Sequence, residues 1–265
     1  MALGARLPVG QYLPGESAVH RLDPRTKIIW TLLWMVTLFG VGSFAGYVSF
    51  GVFLVAVLVL ARIPVRAVWR GIRPLMYLIL FTAFFNLLAT PGQPVVRLGP
   101  LAITDAGLVT AGLVTARLLL LIAGASILTL TTSPLALSDG IETLLRPLQR
   151  IGLPAHELAM MMAIALRFIP TLLEEAERIM KAQKARGADF ESGSIQQRIR
   201  SLLPVLVPLF VSAFRRADEL AVAMEARAYR GGAGRTHLRE LHFQPIDLLW
   251  MAVSLLWLVG TAAVF

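Results

Sequence analysis

From Ile28 to Ala61 the chain runs for 34 residues without a single Asp, Glu, Lys, Arg or His. A stretch that apolar has few places to go. One helix crossing a bilayer needs about 20 residues, so the run is too long for one crossing and tight for two. Its middle reads Phe39-Gly40-Val41-Gly42-Ser43-Phe44-Ala45-Gly46, where glycines permit a sharp turn. Two short helices, about 28–42 and 46–61, are expected to form a hairpin. Arg21, Arg25 and Lys27 precede the run, and Arg62, Arg66, Arg70 and Arg73 follow it with no acid among them. Basic flanks on both sides place both ends of the hairpin in the cytoplasm, in agreement with two crossings.

The rest of the chain repeats the pattern. Residues 74–96 are uncharged, giving a third span over about 74–89, and Ala89–Pro100, with three Pro and two Gly, reads as an external loop. A fourth span, 107–131, carries one charge, Arg117, and the repeat Gly107-Leu-Val-Thr-Ala, Gly112-Leu-Val-Thr-Ala. Small residues so spaced let helices approach closely. Arg117 can snorkel or pair inside the bundle, and an intramembrane charge is a candidate for function. Leu248–Phe265, also uncharged, supplies a last span within 245–265. The chain is 57% apolar and 15% charged, with mean hydropathy +0.71, against about 25% charged in soluble domains. The expected class is an all-α integral membrane protein with about five spans, the N-terminus cytoplasmic. The first 27 residues lack the apolar core of a cleavable signal.

Residues 132–244 differ from the spans. The 102 residues from 139 to 240 hold 15 basic and 12 acidic side chains, 27 of the 41 in the chain. They follow an even number of spans and so read as a cytoplasmic insert. Helices are expected over about Ser138–Gln149, Pro154–Arg186 and Ile195–Tyr229. In the second, Ile169, Leu172, Leu173, Ala176, Ile179 and Met180 share a face, Glu174–Arg178 and Glu177–Lys181 are i,i+4 pairs, and Pro170 predicts a kink. In the third, Leu203, Val207, Phe210, Phe214, Ala217, Ala221 and Met224 form a stripe. The two faces are expected to pack mainly on each other. Met160-Met161-Met162 reads as core or as an adaptable sliding surface.

The two long helices end alike. Residues 182–187 read Ala-Gln-Lys-Ala-Arg-Gly and 223–228 read Ala-Met-Glu-Ala-Arg-Ala. Arg186 and Arg227 thus stand at helix ends beside small residues. Such an arginine can fork onto carboxylates of a partner, or it can satisfy the last carbonyls of its own helix.

Several chemistries are excluded or left unsupported. There is no Cys, so there is no disulfide and no cysteine-ligated zinc or iron. Four His without H-E-x-x-H give no metal motif, and no cofactor is expected. No G-x-x-x-x-G-K-[ST] loop is present, so ATP is not bound through that motif. The net charge of +9 reads as the positive-inside bias of a lipid-embedded chain, with no nucleic acid expected. A stand-alone secondary transporter would need inward-facing charges in its spans or duplicated halves; Arg117 and Asn86 are the only candidates. A membrane enzyme would need converging acids or His at membrane depth, and none are seen.

The chain resembles the transmembrane T component of energy-coupling factor (ECF) transporters. The likeness is carried by His20-Arg21-Leu22-Asp23-Pro24-Arg25-Thr26-Lys27, by Leu166-Arg167-Phe168-Ile169-Pro170 with the charged helix to Ala185-Arg186-Gly187, by Glu225-Ala226-Arg227-Ala228-Tyr229-Arg230-Gly231, and by Arg235-Thr236-His237-Leu238. The resemblance implies a non-catalytic scaffold in a prokaryotic cell membrane. Its expected partners are two ABC-type ATPase subunits, which bind the ATP, and a small membrane-embedded S component, which binds the vitamin or metal ion imported. It implies that Ala185, Arg186, Gly187, Ala226, Arg227 and Ala228 dock the two coupling helices onto the ATPases. Ala228 stands where glycine is common in the family.

Overall fold

The computed structural model describes residues 12–98, 101–147, 154–190, 192, 194–231 and 242–264. The described residues are 82% helical, and the chain divides into two units, one of Gly10–Gly140 with Glu240–Phe265 and the other centred on Ile141–Arg239. By length and composition five helical runs can cross a bilayer: Phe44–Ala61, Val65–Ala89, Asp105–Thr131, His156–Ala185 and Gln196–Ala226.

The first unit opens with α1 (Ala18–Arg21) and α2 (Pro24–Gly40), followed by α3 (Phe44–Ala61). The break between α2 and α3 falls at Val41–Ser43, where the Ser43 side chain accepts from the Gly46 N–H and starts α3. α4 (Val65–Ile72) passes through a 3₁₀ turn into α5 (Met76–Ala89). The expected loop after it is in part a β-ribbon, β1 (Pro94–Leu98) antiparallel to β2 (Leu101–Thr104). Pro91, Gly92 and Pro94 mask the β-branched and apolar residues that follow them. α6 (Asp105–Thr131) and α10 (Pro245–Val264) complete the unit.

The core of this unit is aromatic. Trp34, Leu38, Phe50 and Leu258 are almost wholly enclosed. Trp34 lies 4.9 Å from the Phe50 ring, and Phe53 stacks on Trp257 at 4.2 Å. Edge and offset contacts of this kind add about 1 kcal/mol each beyond burial. Gly124 of α6 makes the packing possible: a Cβ there would lie 2.3 Å from Trp34 Nε1, which donates to the Leu120 carbonyl at 3.2 Å. The small-residue repeat behaves similarly, since a Cβ on Gly107 would lie 2.7 Å from the Leu87 carbonyl oxygen.

The segment His20–Lys27 forms a polar lock at one end of this bundle. Asp247, fully buried, accepts from the Asp23 and Gln244 N–H groups, both at 2.8 Å. Asp23 caps α2 and pairs with Arg25 at 2.9 Å, whose guanidinium lies 4.2 Å from the Phe243 ring centre. Lys27 Nζ donates to the carbonyls of His20 and Thr131, both at 3.0 Å. Local caps by Asp23 and Asp247 are thereby joined to two distant contacts, Asp247 with the Asp23 N–H and Lys27 with the Thr131 carbonyl. Beside the lock, His20 Nε2 donates to the Leu13 carbonyl, and burial holds its imidazole below the usual histidine range.

The second unit is a helical hairpin. α7 (Pro134–Leu145), which begins in the first unit and ends in the second, starts four residues before the expected Ser138, so Asp139 and Glu142 lie mid-helix and Gln149 falls outside the described residues. α8 (Ala155–Ala185) and α9 (Ile195–Ala226) are single long helices with Pro170, Pro204 and Pro208 inside them. Ser194 and Gln197 form a reciprocal capping box at the start of α9.

Candidate functional site

The two matching endings prove to be one backbone motif used twice. At the end of α8 the Ala188 N–H bonds the Gln183 carbonyl and the Gly187 N–H bonds the Lys184 carbonyl, each at 3.0 Å. At the end of α9 the Tyr229 N–H bonds the Met224 carbonyl at 3.0 Å and the Ala228 N–H bonds the Glu225 carbonyl at 2.8 Å. This is a Schellman ending, with a left-handed residue just past the cap. Gly187 takes that position at φ +87°, and Ala228 takes it at φ +56°. Glycine enters this region without steric cost, whereas alanine is strained there.

The motif closes each helix end through the backbone. Backbone N–H groups occupy the last carbonyls, so Arg186 and Arg227 are not needed to cap their helices. Both are exposed, as are Ala185, Gly187, Ala226 and Ala228. Among the described residues neither guanidinium has an ion-pair or hydrogen-bond partner.

The hairpin sets the distance between these ends. Gln183 Nε2 donates to the Pro204 carbonyl at 3.4 Å, and Arg216 pairs with Glu175 at 3.0 Å. Residue numbers rise on one helix as they fall on the other, so α8 and α9 are antiparallel. The first contact has a local cause: Pro208 has no N–H, so the Pro204 carbonyl lacks its helical partner. Arg186 therefore lies level with about residue 203 of α9. Arg227 lies about 24 residues further on, roughly 35 Å at 1.5 Å per residue. The six expected site residues form two separate groups.

The stripe on α9 does not pack against α8. Val205, Ser212 and Arg216 share one face by their spacing; Val205 is buried, and Ser212 and Arg216 both hydrogen-bond Glu175. The opposite face carries Leu203, Val207, Phe210 and Phe214, which are 52%, 60%, 60% and 67% exposed. The expected mutual packing of the two stripes is thus corrected. The intrahelical pairs Glu174–Arg178 and Glu177–Lys181 are not ion-paired among the described residues; Glu175 reaches across to α9 instead.

Arg117 has a structural answer. Its Nε donates to the Tyr47 hydroxyl at 2.8 Å and its terminal nitrogen to the Val41 carbonyl at 3.2 Å. It also lies 5.6 Å from the Phe39 ring centre. The charge clamps the α2–α3 turn onto α6. Asp247, fully buried in the lock, is not singled out by the sequence, and Lys27 reads there only as a basic flank. An acid just ahead of an apolar run resembles an ordinary flank, and only the fold shows that two distant backbone N–H groups converge on it. The described residues hold no cluster of three or more His, Asp or Glu able to bind a metal ion. Arg235–Leu238 lies outside the described residues.

An aromatic-cored bundle of apolar helices joined to a long, half-covered helical hairpin defines an all-α membrane protein. A family model described as cobalt transport protein, CbiQ, matches residues 15–238. The ECF transporter transmembrane protein EcfT of Thermosediminibacter oceani is 54% identical over 255 residues, covering 96% of each chain. That of Heliobacterium modesticaldum is 57% identical over 235 residues, covering 89% of this chain and 88% of its own. That of Bacillus subtilis is 48% identical over 234 residues, covering 88% of each. The chain belongs to this family of ECF transporter transmembrane components.

Proposed function

We propose that this chain is the scaffold of an ECF-type importer, passing the work of two cytoplasmic ATPase subunits to a separate substrate-binding membrane protein. In this reading residues 1–131 hold four spans, residues 132–244 lie in the cytoplasm, and 245–265 form the last span of a cell-membrane protein with its N-terminus inside. α8 and α9 are long and apolar enough to cross a bilayer, but α8 alone carries eight Asp, Glu, Lys and Arg side chains. Burying that many charges in lipid is costly, whereas an amphipathic helix lying under the membrane keeps them in water.

The observation that carries the proposal is the pair of matched helix ends. Two unpartnered arginines, each flanked by small residues on a rigid ending, stand roughly 35 Å apart along one hairpin. That distance suits two separate grooves on two subunits better than one pocket. Each guanidinium can fork onto carboxylates of its groove, and the exposed stripe of α9 offers apolar surface to be covered on assembly. Nucleotide chemistry in this scheme belongs to the ATPases, and the choice of vitamin or metal ion belongs to the substrate-binding partner. Arg117, held by Tyr47 and Val41, is read here as a structural clamp and not as a substrate ligand.

Co-purification tests the reading. Arg186→Glu should weaken retention of the ATPases by at least ~10-fold, as loss of a desolvated charge contact does. Adding Arg227→Glu should abolish it. Undiminished ATPase recovery with the double variant would overturn the docking assignment.

A further inference from the structure

α4 carries a basic stripe that neither the fold nor the docking reading uses. Arg62, Arg66, Arg70 and Arg73 are all exposed. Among the described residues none of these four side chains has a hydrogen-bond or ion-pair partner. The sequence offers no local counter-charge, because no Asp or Glu occurs between Asp23 and Asp105. Arg66, Arg70 and Arg73 fall within about 60° of one another at 3.6 residues per turn. Val68 and Ile72, on another side of the helix, are buried in the bundle core, so the direction of the stripe is fixed. Trp69 and Val65 lie beside it, 53% and 73% exposed.

The position of α4 identifies the occupant. It follows the uncharged α3 and runs into α5, whose Tyr77, Phe81, Phe84 and Phe85 are exposed. The stripe therefore sits at the end of apolar helices, at the level where a bilayer changes from acyl chain to headgroup. A tryptophan half in the open beside arginines is the pattern favoured at that level. An acidic protein surface would match the charges but leave no reason for exposed Val65 and Trp69 beside them. We propose that the α4 stripe binds the phosphates of anionic phospholipid headgroups, the guanidinium groups forking onto phosphate oxygens while Trp69 and Val65 rest on the glycerol and upper acyl region. This inference is independent of the docking assignment for Arg186 and Arg227.

The test uses the full chain with its co-purifying subunits, in nanodiscs of phosphatidylcholine containing a minor fraction of phosphatidylglycerol. Lipid retained after extraction into mild detergent is measured by mass spectrometry. Wild type should retain phosphatidylglycerol above its share of the nanodisc, and less so in high salt. Each arginine near a charged bilayer contributes roughly fivefold in binding, so Arg66→Gln/Arg70→Gln/Arg73→Gln should remove the enrichment. The matching triple Lys variant should keep most of it. Single Arg70→Gln gives a graded loss should the triple Gln variant fold poorly. Equal enrichment in wild type and single and triple Gln variants would overturn the proposal. So would loss of a protein subunit with lipid retention intact, which would assign the stripe to a protein partner.

Discussion

The two units of this chain enclose very different amounts of apolar side chain. The bundle encloses Trp34, Leu38, Phe50 and Leu258 and seals its end with buried Asp247 and Lys27. In the hairpin only Ala159 and Val205 are buried apolar residues among those described, while Leu203, Val207, Phe210 and Phe214 stand open. The bundle fills its interior from its own chain, while its outer surface carries exposed apolar side chains such as Val36, Phe81 and Leu256. The hairpin is held in register by a few polar contacts and leaves its largest apolar side chains without cover. The units therefore differ in their interiors: the bundle encloses large aromatic side chains, and the hairpin encloses few apolar ones of any size.

Substitutions can sharpen or break this contrast. The largest effect is expected at Gly124→Val, where no side chain fits against Trp34. Overpacking of this kind costs about 2–3 kcal/mol, seen as a lower thermal midpoint in detergent and poor recovery from membranes. Next is Asp247→Ala, which strands the Asp23 and Gln244 N–H groups. Unsatisfied buried groups cost about 1–3 kcal/mol, and the midpoint should fall with partners absent as well as present. By contrast, Phe210→Ser/Phe214→Ser should leave the midpoint of the isolated chain within about 0.5 kcal/mol of wild type and reduce recovery of co-purifying subunits. A large fall in the isolated chain would mean that the α9 stripe is core after all. The smallest effect is a gain: Ala228→Gly relieves a left-handed alanine at φ +56° and should stabilise the end of α9 by about 0.5–1 kcal/mol. Slower amide exchange at Tyr229, whose N–H closes the motif, would report it.

Much of this contrast can be read in the residues, and the exceptions share a cause. The uncharged runs, the turn near Val41–Ser43 and the small-residue contact at Gly107 follow from local chemistry, and local chemistry is what a sequence displays. The role of the Ala-Arg pairs did not follow, because two uses of an arginine at a helix end fit the same letters. The backbone bonds of Gly187, Ala188, Ala228 and Tyr229 show that the helix ends close without those side chains. The lock at Asp247 joins residues 224 positions apart, beyond any periodic pattern. The α9 stripe has the right period for a buried face, and period alone cannot say whether the cover comes from the same chain. The β-ribbon was hidden by Pro and Gly in the segment that precedes it.

The most direct test of the two-ended docking reading exploits the absence of native Cys. Single Cys variants Ala188→Cys and Arg230→Cys place a thiol just beyond each arginine without replacing it. Each would be treated in native membranes with a short reagent joining a maleimide to a photoreactive diazirine, and the cross-linked product identified by mass spectrometry. The account predicts that both positions capture an ATPase subunit, and that the Ala188→Cys/Arg230→Cys chain captures two at once. Capture of one subunit by both positions together, or of none by either, would contradict it.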